Sequence, residues 1–190
     1  MLDSLEAQRV ISRYRNKAIV ITTMTPSREW PQVSTSLDLD LPLIDGMGKA
    51  SSLGLGLALA QPGRRVFVLD SDGSLLMNLG SLVTIANMAP PNLVHFLFEN
   101  SIYRTTGGQT IPGAGKFSFI GLAREAGYNS VHEFDDLASL EDNIETVLNQ
   151  AGPTFVCLKV PPLAERPPYP FLNTARAIPR FREAVQRPSP

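Results

Sequence analysis

Short apolar runs alternate along the chain with longer stretches in which apolar residues recur at helical spacing. Apolar runs of four to eight residues are typical of buried strands, and apolar residues three and four positions apart are typical of amphipathic helices. Strands are predicted at residues 18–22, 41–44, 66–70, 93–98 and 154–160. Helices are predicted at residues 2–14, 49–60, 75–88, 117–126 and 137–150.

This alternation predicts an α/β fold with three layers, in which a parallel sheet carries helices on both faces. Pro26 and Pro31 exclude a helix that continues through the segment after the first strand. Residues 104–116 hold four glycines and a proline, which predicts a loop. In the helix at residues 49–60, Gly54 and Gly56 are expected to let the backbone lie close to the sheet.

The composition changes after Val160, where prolines and arginines become frequent. A chain of 190 residues suits one domain with a tail. We therefore predict a domain at residues 1–160 and a proline-rich C-terminal arm at residues 161–190. A short helix is expected within the arm, near residues 180–186.

Charge and cysteine content exclude several classes of function. A net charge of -1 gives no electrostatic footprint for nucleic acid or for an anionic membrane surface. No apolar run approaches the roughly 20 residues of a membrane span, and the N-terminus lacks a signal-peptide pattern. Cys157 stands alone and cannot form an internal disulfide, which fits a reducing compartment. The sequence therefore predicts a cytoplasmic protein.

Polar residues follow two neighbouring predicted strands and indicate a shared site at one edge of the sheet. Asp72 lies in a turn before a helix whose first N–H groups favour phosphate. A carboxylate would repel phosphate unless a divalent cation lay between them, and Mg²⁺ takes oxygen ligands of both kinds. Asn100, after the next strand, offers an amide oxygen, and the following loop offers the Ile102 carbonyl. Taken separately, Asp72 fits an ordinary turn better than a metal site, and Asn100 fits a strand-end cap.

A second glycine turn, at residues 45–48, precedes the helix at residues 49–60. By itself it fits a generic phosphate turn, with Met47 as a core residue. The nearby Gly54 and Gly56 do not make a dinucleotide fingerprint, because they lie within a helical pattern and the third glycine is absent.

The sequence Ser-Asp-Gly-Ser at residues 71–74, followed after a helix and a strand by Glu99-Asn100, resembles the motif of thiamine-diphosphate enzymes. That motif pairs Gly-Asp-Gly with Asn-Asn or Asp-Asn across a spacer of similar length. Ser71 and Glu99 depart from it: a glycine position can require positive φ, and Glu99 adds negative charge near the site.

The resemblance implies a thiamine-diphosphate-binding fold with thiamine diphosphate and Mg²⁺ as cofactors. It assigns Asp72, Asn100 and the Ile102 carbonyl to the metal. In the family, the turn at residues 45–48 holds the aminopyrimidine through its backbone, and Met47 matches the residue that keeps the cofactor bent. The positions that it assigns to the cofactor are Asp45, Gly46, Met47, Gly48, Ser71, Asp72, Gly73, Ser74, Asn100, Ile102 and Tyr103. Thr105, Thr106 and Gln109 are expected to face the substrate.

Four longer stretches of sequence resemble a narrower group within this family. TPSREW, DGMGKASSLGLGLALA, DGSLLMNLGSLVTIAN and ENSIYRTTGGQT resemble the β subunits of sulfopyruvate decarboxylases and the C-terminal half of phosphonopyruvate decarboxylases. This implies the β subunit of a hetero-oligomeric lyase that decarboxylates a 2-oxoacid. No catalytic residue is expected in this chain, because the family's cofactor-activating glutamate lies in a pyrimidine-binding domain, here expected on an α subunit.

Three alternatives and one further association stay open. The same cofactor serves carboligases and 2-oxoacid oxidoreductases, so the chain also fits a subunit of either. A non-catalytic, cofactor-binding regulatory subunit is the third alternative, which Ser71 and Glu99 favour. β subunits are also expected to be able to associate with one another.

Overall fold

The computed structural model describes residues 1–44, 46–163, 168 and 174–187. Its strands are β1 (Ile19–Thr23), β2 (Asp40–Leu43), β3 (Val66–Ser71), β4 (Leu93–Glu99), β5 (Ile102–Tyr103), β6 (Gln109–Thr110), β7 (Ser130–Phe134) and β8 (Thr154–Lys159). Six of them form a parallel sheet in the order β2-β1-β3-β4-β8-β7. Its two central strands, β3 and β4, end where the polar residues of the motif begin.

Helices cover both faces of the sheet, as the alternating pattern predicts. They are α1 (Ser4–Arg13), α2 (Pro26–Glu29), α3 (Ala50–Ala60), α4 (Asp72–Leu76), α5 (Gly80–Met88), α6 (Phe119–Ala126), α7 (Leu137–Asn149) and α8 (Thr174–Gln186). Apolar residues of α3, α5, α6 and α8 pack on one face, and those of α1 and α7 pack on the other. The predicted three-layer fold is confirmed. Within the described stretches, no helix combines the length and the apolar character that a transmembrane segment needs.

Two predicted segments differ from the structure in more than the positions of their ends. The single helix predicted at residues 75–88 is wrong: a turn at residues 77–79 separates α4 from α5. Asn78 lies in this turn and donates from Nδ2 to the Gly48 carbonyl at 2.9 Å, which connects it to the neighbouring glycine turn. The loop predicted at residues 104–116 contains β6, which pairs with β5 in a hairpin too short to show periodicity in the sequence.

Strand β7 was not predicted from the sequence, and helix α8 is longer than predicted. Strand β7 lies at the sheet edge beside β8, and its half-buried SVHEF sequence lacks the apolar run of a central strand. Helix α8 begins at Thr174, six residues before the predicted start, and contains Pro179. It buries Ala177, Phe181 and Ala184 against the sheet, so helical spacing of apolar residues outweighs the proline. The division at residue 160 stays a prediction.

The two glycines of α3 differ in their surroundings. A Cβ on Gly54 would lie 2.3 Å from Val68 Cγ2 of β3, whereas nothing lies within 4 Å of a Cβ on Gly56. Close approach of helix and sheet therefore requires Gly54 only, and the prediction that Gly56 serves the same purpose is wrong, because Gly56 is exposed.

Alanine substitutions at these two glycines should have opposite effects on stability. Gly56→Ala should raise the free energy of unfolding by about 0.5–1 kcal/mol, since alanine is the better helix former and has room. Gly54→Ala should lower it by about 1–3 kcal/mol, because the added methyl overpacks the contact with Val68. Urea unfolding of both variants measures this, and equal effects of the same sign would contradict the packing described.

Candidate cofactor-binding site

Asp72 joins the ends of the two central strands. It lies at the start of α4, directly after β3, and is 1% exposed. Its Oδ1 accepts a hydrogen bond from its neighbour Gly73 N at 2.7 Å, and its Oδ2 accepts from Asn100 N at 2.9 Å and Ser101 N at 2.6 Å. The two halves of the motif are thus in direct contact.

Asn100 is 7% exposed and lies at the carboxyl end of β4. Its Oδ1 accepts from Ile102 N at 3.0 Å, and Ser101 between them has a left-handed φ of 64°. The chain therefore makes a tight turn there. An amide oxygen has two lone pairs, so Asn100 Oδ1 retains an acceptor position beside this hydrogen bond.

The Asp72 carboxylate is buried without a cationic side chain bonded to it in the described part of the chain. Burial raises the pKa of Asp72 to about 6, hydrogen bonds from Gly73, Ser101 and Asn100 oppose that shift, and the charge of Glu99 adds to it. A buried carboxylate with a raised pKa beside an amide oxygen fits a hard divalent cation, because a cation would stabilise the ionised form.

Asp72 should titrate near pH 6 in the metal-free chain. As the pH falls through this value the carboxylate takes up a proton and loses the charge that a metal ligand needs, so Mg²⁺ binding should weaken below pH 6. Carboxyl ¹³C NMR should show the midpoint near 6, moving below about 4 with saturating Mg²⁺ and thiamine diphosphate. Exposed Asp136, whose pKa is held below its ordinary value by hydrogen bonds with Ser139, provides an internal reference. A midpoint below 4 for Asp72 in the metal-free chain would contradict the burial argument.

The first departure from the family motif is structurally accommodated. Ser71 has φ -118° and ψ 154°, an extended backbone that needs no glycine. Gly73 is the position that requires glycine, because a Cβ there would lie 2.5 Å from Tyr103 Cε1. The Tyr103 ring thus packs directly on the first turn of α4.

The second glycine turn lies beside the first. Asp45 falls outside the described residues, whereas Gly46, Met47 and Gly48 are described. Gly48 has a positive φ of 72°, and its N–H donates to Ser74 Oγ at 3.0 Å. The fully buried Ser74 therefore connects the two turns that the sequence assigns to the cofactor.

An open cleft of about 320 Å³ lies at this edge of the sheet. Its lining residues are Met24, Thr25, Met47, Ser71, Gly73, Asn100, Ile102, Tyr103, Arg104, Thr105 and Thr106. Gln109, expected to face the substrate, is not in the lining and bonds to Thr106 instead. Sequence reasoning missed Met24, Thr25 and Arg104. The available signal for Met24 and Thr25 is their position at the carboxyl end of a buried strand.

Comparison with known proteins identifies the family of the chain. Residues 33–158 match the family described as thiamine pyrophosphate enzyme, C-terminal TPP binding domain. The sulfopyruvate decarboxylase subunit beta of Methanothermobacter thermautotrophicus is 38% identical over 187 residues, which are 98% of this chain and 97% of that protein. The phosphonopyruvate decarboxylase of Streptomyces viridochromogenes is 39% identical over 176 residues, or 92% of this chain but only 43% of that protein.

A solved structure shows the same fold. The thiamine diphosphate-dependent 4-hydroxybenzoylformate decarboxylase of Rhodococcus jostii RHA1 aligns with a TM-score of 0.66 and 19% identity, over 86% of this chain and 33% of that chain. Fold and site together define a C-terminal thiamine-diphosphate-binding domain. The chain belongs to the thiamine pyrophosphate enzyme family. The family and fold predicted from the sequence are confirmed.

Proposed function

We propose that this chain is the β subunit of a two-subunit, thiamine-diphosphate-dependent 2-oxoacid decarboxylase, and that it supplies the metal and diphosphate half of the active site. The main support is Asp72, a buried carboxylate that accepts a hydrogen bond from the backbone of Asn100, and Asn100 lines the cleft. The nearly full-length match to a sulfopyruvate decarboxylase β subunit supports the assignment to a decarboxylase subunit.

The roles of the residues follow from their positions. Asp72, the Asn100 side chain and the Ile102 carbonyl would hold Mg²⁺, which would neutralise the diphosphate. N–H groups at the start of α4 would bind the diphosphate oxygens. Met47 in the cleft would support the pyrimidine end. When bound, thiamine diphosphate supplies the nucleophilic carbon and accepts the electrons released as carbon dioxide leaves.

Other parts of the site are proposed to come from a partner. A pyrimidine-binding α subunit would carry the glutamate that activates the cofactor, so the chain alone would bind cofactor without turnover. The cytoplasmic location and self-association of β subunits stay predictions.

Arg104 supports a proposal about which 2-oxoacids are substrates. It is the cationic residue in the lining of the cleft within the described stretches, and its Nε donates to the Leu163 carbonyl at 2.9 Å, which fixes the side chain in place. A guanidinium at this position would favour a 2-oxoacid with a second acidic group. Pyruvates that carry a sulfonate or a phosphonate group have such a second acidic group, and we propose them as substrates of the two-subunit enzyme.

Reconstitution with a pyrimidine-binding α subunit tests the proposal. The pair should release carbon dioxide from a 2-oxoacid only with Mg²⁺ and thiamine diphosphate. Sulfopyruvate, phosphonopyruvate and unsubstituted pyruvate form a suitable panel. Arg104→Gln should raise KM for the first two more than for pyruvate. Cofactor binding with no turnover of any 2-oxoacid would instead favour the regulatory alternative.

A further inference from the structure

Four side chains form a cluster at the carboxyl ends of β4, β8 and β7. Lys159 Nζ lies 2.6 Å from Glu99 Oε2 and 3.2 Å from Glu133 Oε2. Cys157 Sγ donates to Glu99 Oε2 at 3.1 Å. We call Glu99, Glu133, Cys157 and Lys159 the Glu99–Lys159 cluster. It lies next to the cofactor site, because Glu99 immediately precedes Asn100.

Strand register brings the cluster together. Glu99 is in register with Lys159, and Glu133 with Cys157, in parallel pairs of strands. Residues two apart on a strand project from the same face, so Cys157 and Lys159 both face these carboxylates. Val160 N donates to the Glu99 carbonyl at 3.0 Å, which holds the backbones together beyond the last pair. The contact is therefore built into the sheet.

Glu99 poses an electrostatic problem for the proposed site. It replaces the Asn or Asp of the family motif, and its side chain is only 14% exposed. Its carboxylate belongs to the residue directly before the proposed metal ligand Asn100, so it brings a negative charge to the site. A poorly solvated carboxylate would also repel the diphosphate, because charges interact more strongly where water is excluded.

Lys159 is placed to remove that problem. Its ammonium lies against Glu99 and is itself 28% exposed. Burial lowers the pKa of Lys159, but its hydrogen bond to Glu99 and the nearby negative charges outweigh burial, so the pKa is raised and the ammonium stays charged. Burial also raises the pKa of Cys157, which leaves a neutral thiol donor. The carboxylate thus has two donors, one of them cationic.

We propose that Lys159 is a positioning residue of the cofactor site, which neutralises Glu99 and holds its carboxylate away from the metal and the diphosphate. This inference rests on the proposed function, since it assumes that the site binds Mg²⁺ and thiamine diphosphate. Lys159 acts through Glu99 and touches neither group itself. The charge that Glu99 brings to the site is therefore compensated by a residue on a different strand.

A double-mutant cycle on the full chain tests the proposal. Calorimetry at saturating Mg²⁺ gives the Kd for thiamine diphosphate. Lys159→Met, which keeps the apolar stem, should weaken binding about tenfold. Lys159→Arg should bind within about twofold of the unsubstituted chain, as should the double variant Lys159→Met/Glu99→Gln, because neither leaves Glu99 uncompensated. Lys116→Met, at an exposed lysine, is the matched control and should have no effect.

Each other outcome has a definite meaning. A double variant that binds as poorly as Lys159→Met would show that Lys159 only supports the fold, and normal binding by Lys159→Met would also overturn the proposal. If Lys159→Met does not fold, the single variant Glu99→Gln tests the proposal. We expect it to bind thiamine diphosphate as tightly as the unsubstituted chain or more tightly, and weaker binding would contradict the proposal. No binding by the unsubstituted chain would overturn the site assignment itself. If the proposed function is wrong but the role of Lys159 is right, the variants would show these differences in cofactor binding, and the reconstituted pair would turn over no 2-oxoacid.

Discussion

Asp72→Ala should weaken the binding of Mg²⁺ and thiamine diphosphate by about 100-fold or more, which is the largest functional effect expected from a single substitution in this chain. The substitution removes a proposed metal ligand. It also removes the acceptor for three backbone N–H groups, two of which belong to Asn100 and Ser101. The metal would therefore lose a charge, and the turn at the end of β4 would lose its connection to β3.

A loss of binding must be separated from a loss of structure. Asp72→Asn keeps the size of the side chain and removes only its charge, so it should lose most of the binding with a smaller effect on unfolding. Asp142→Ala, on the exposed face of α7, is the control for removal of one carboxylate and should bind normally. Calorimetry with Mg²⁺ and thiamine diphosphate measures the affinities. Unchanged affinity in Asp72→Ala would refute the metal assignment.

Arg15→Met should produce the largest loss of stability, about 3–5 kcal/mol of unfolding free energy. Arg15 Nη1 lies 2.7 Å from Asp40 Oδ1, and the two side chains are 0% and 7% exposed. The guanidinium also donates to the Ala18 carbonyl at 2.9 Å and lies over the Trp30 ring. Methionine fills part of the space but leaves the Asp40 carboxylate buried without its cation.

Comparison with an exposed ion pair makes this prediction specific. Arg13 bonds to Glu141 at the surface, with side chains 56% and 45% exposed, so Arg13→Met should cost at most about 1 kcal/mol. The double variant Arg15→Met/Asp40→Asn should be more stable than Arg15→Met, because the unpaired buried charge is removed. Guanidinium unfolding of the four chains provides the values, and equal losses for Arg13→Met and Arg15→Met would contradict the burial argument.

The centre of the fold was predictable because each of its signals is local. Strands β3 and β4 are buried on both faces and appear in the sequence as continuous apolar runs. Their carboxyl ends must meet at one sheet edge, so the positions of Asp72 and Asn100 directly after these strands predicted that the two residues lie close together. The residues of this contact were predicted correctly. Their assignment to metal and cofactor stays a prediction.

The periphery was less predictable because its signals depend on tertiary contacts. Strand β7 is paired on one side only, so half-buried polar residues replace the apolar run. Helix α8 keeps Pro179 because Phe181 and its apolar neighbours pack on the core. Gly54 and Gly56 look alike in sequence, and only the position of Val68 distinguishes them.

The electrostatics of the site were also hidden in the sequence. Glu99 appears there as an uncompensated negative charge, whereas its partner Lys159 is 60 residues further along the chain. Only the register of β4 and β8 brings the two together. The sequence also did not show whether Ser71 could replace the glycine of the motif. Its extended backbone shows that no glycine is needed there.

A crystal structure of the chain with thiamine diphosphate and Mn²⁺ in place of Mg²⁺ tests the central claim most directly. Anomalous scattering locates the metal independently of the protein atoms. We predict one Mn²⁺ at the cleft, coordinated by Asp72, by Asn100 Oδ1 and by the Ile102 carbonyl, with diphosphate oxygens completing the shell. A bound cofactor whose metal lies away from Asp72 and Asn100 would contradict the account.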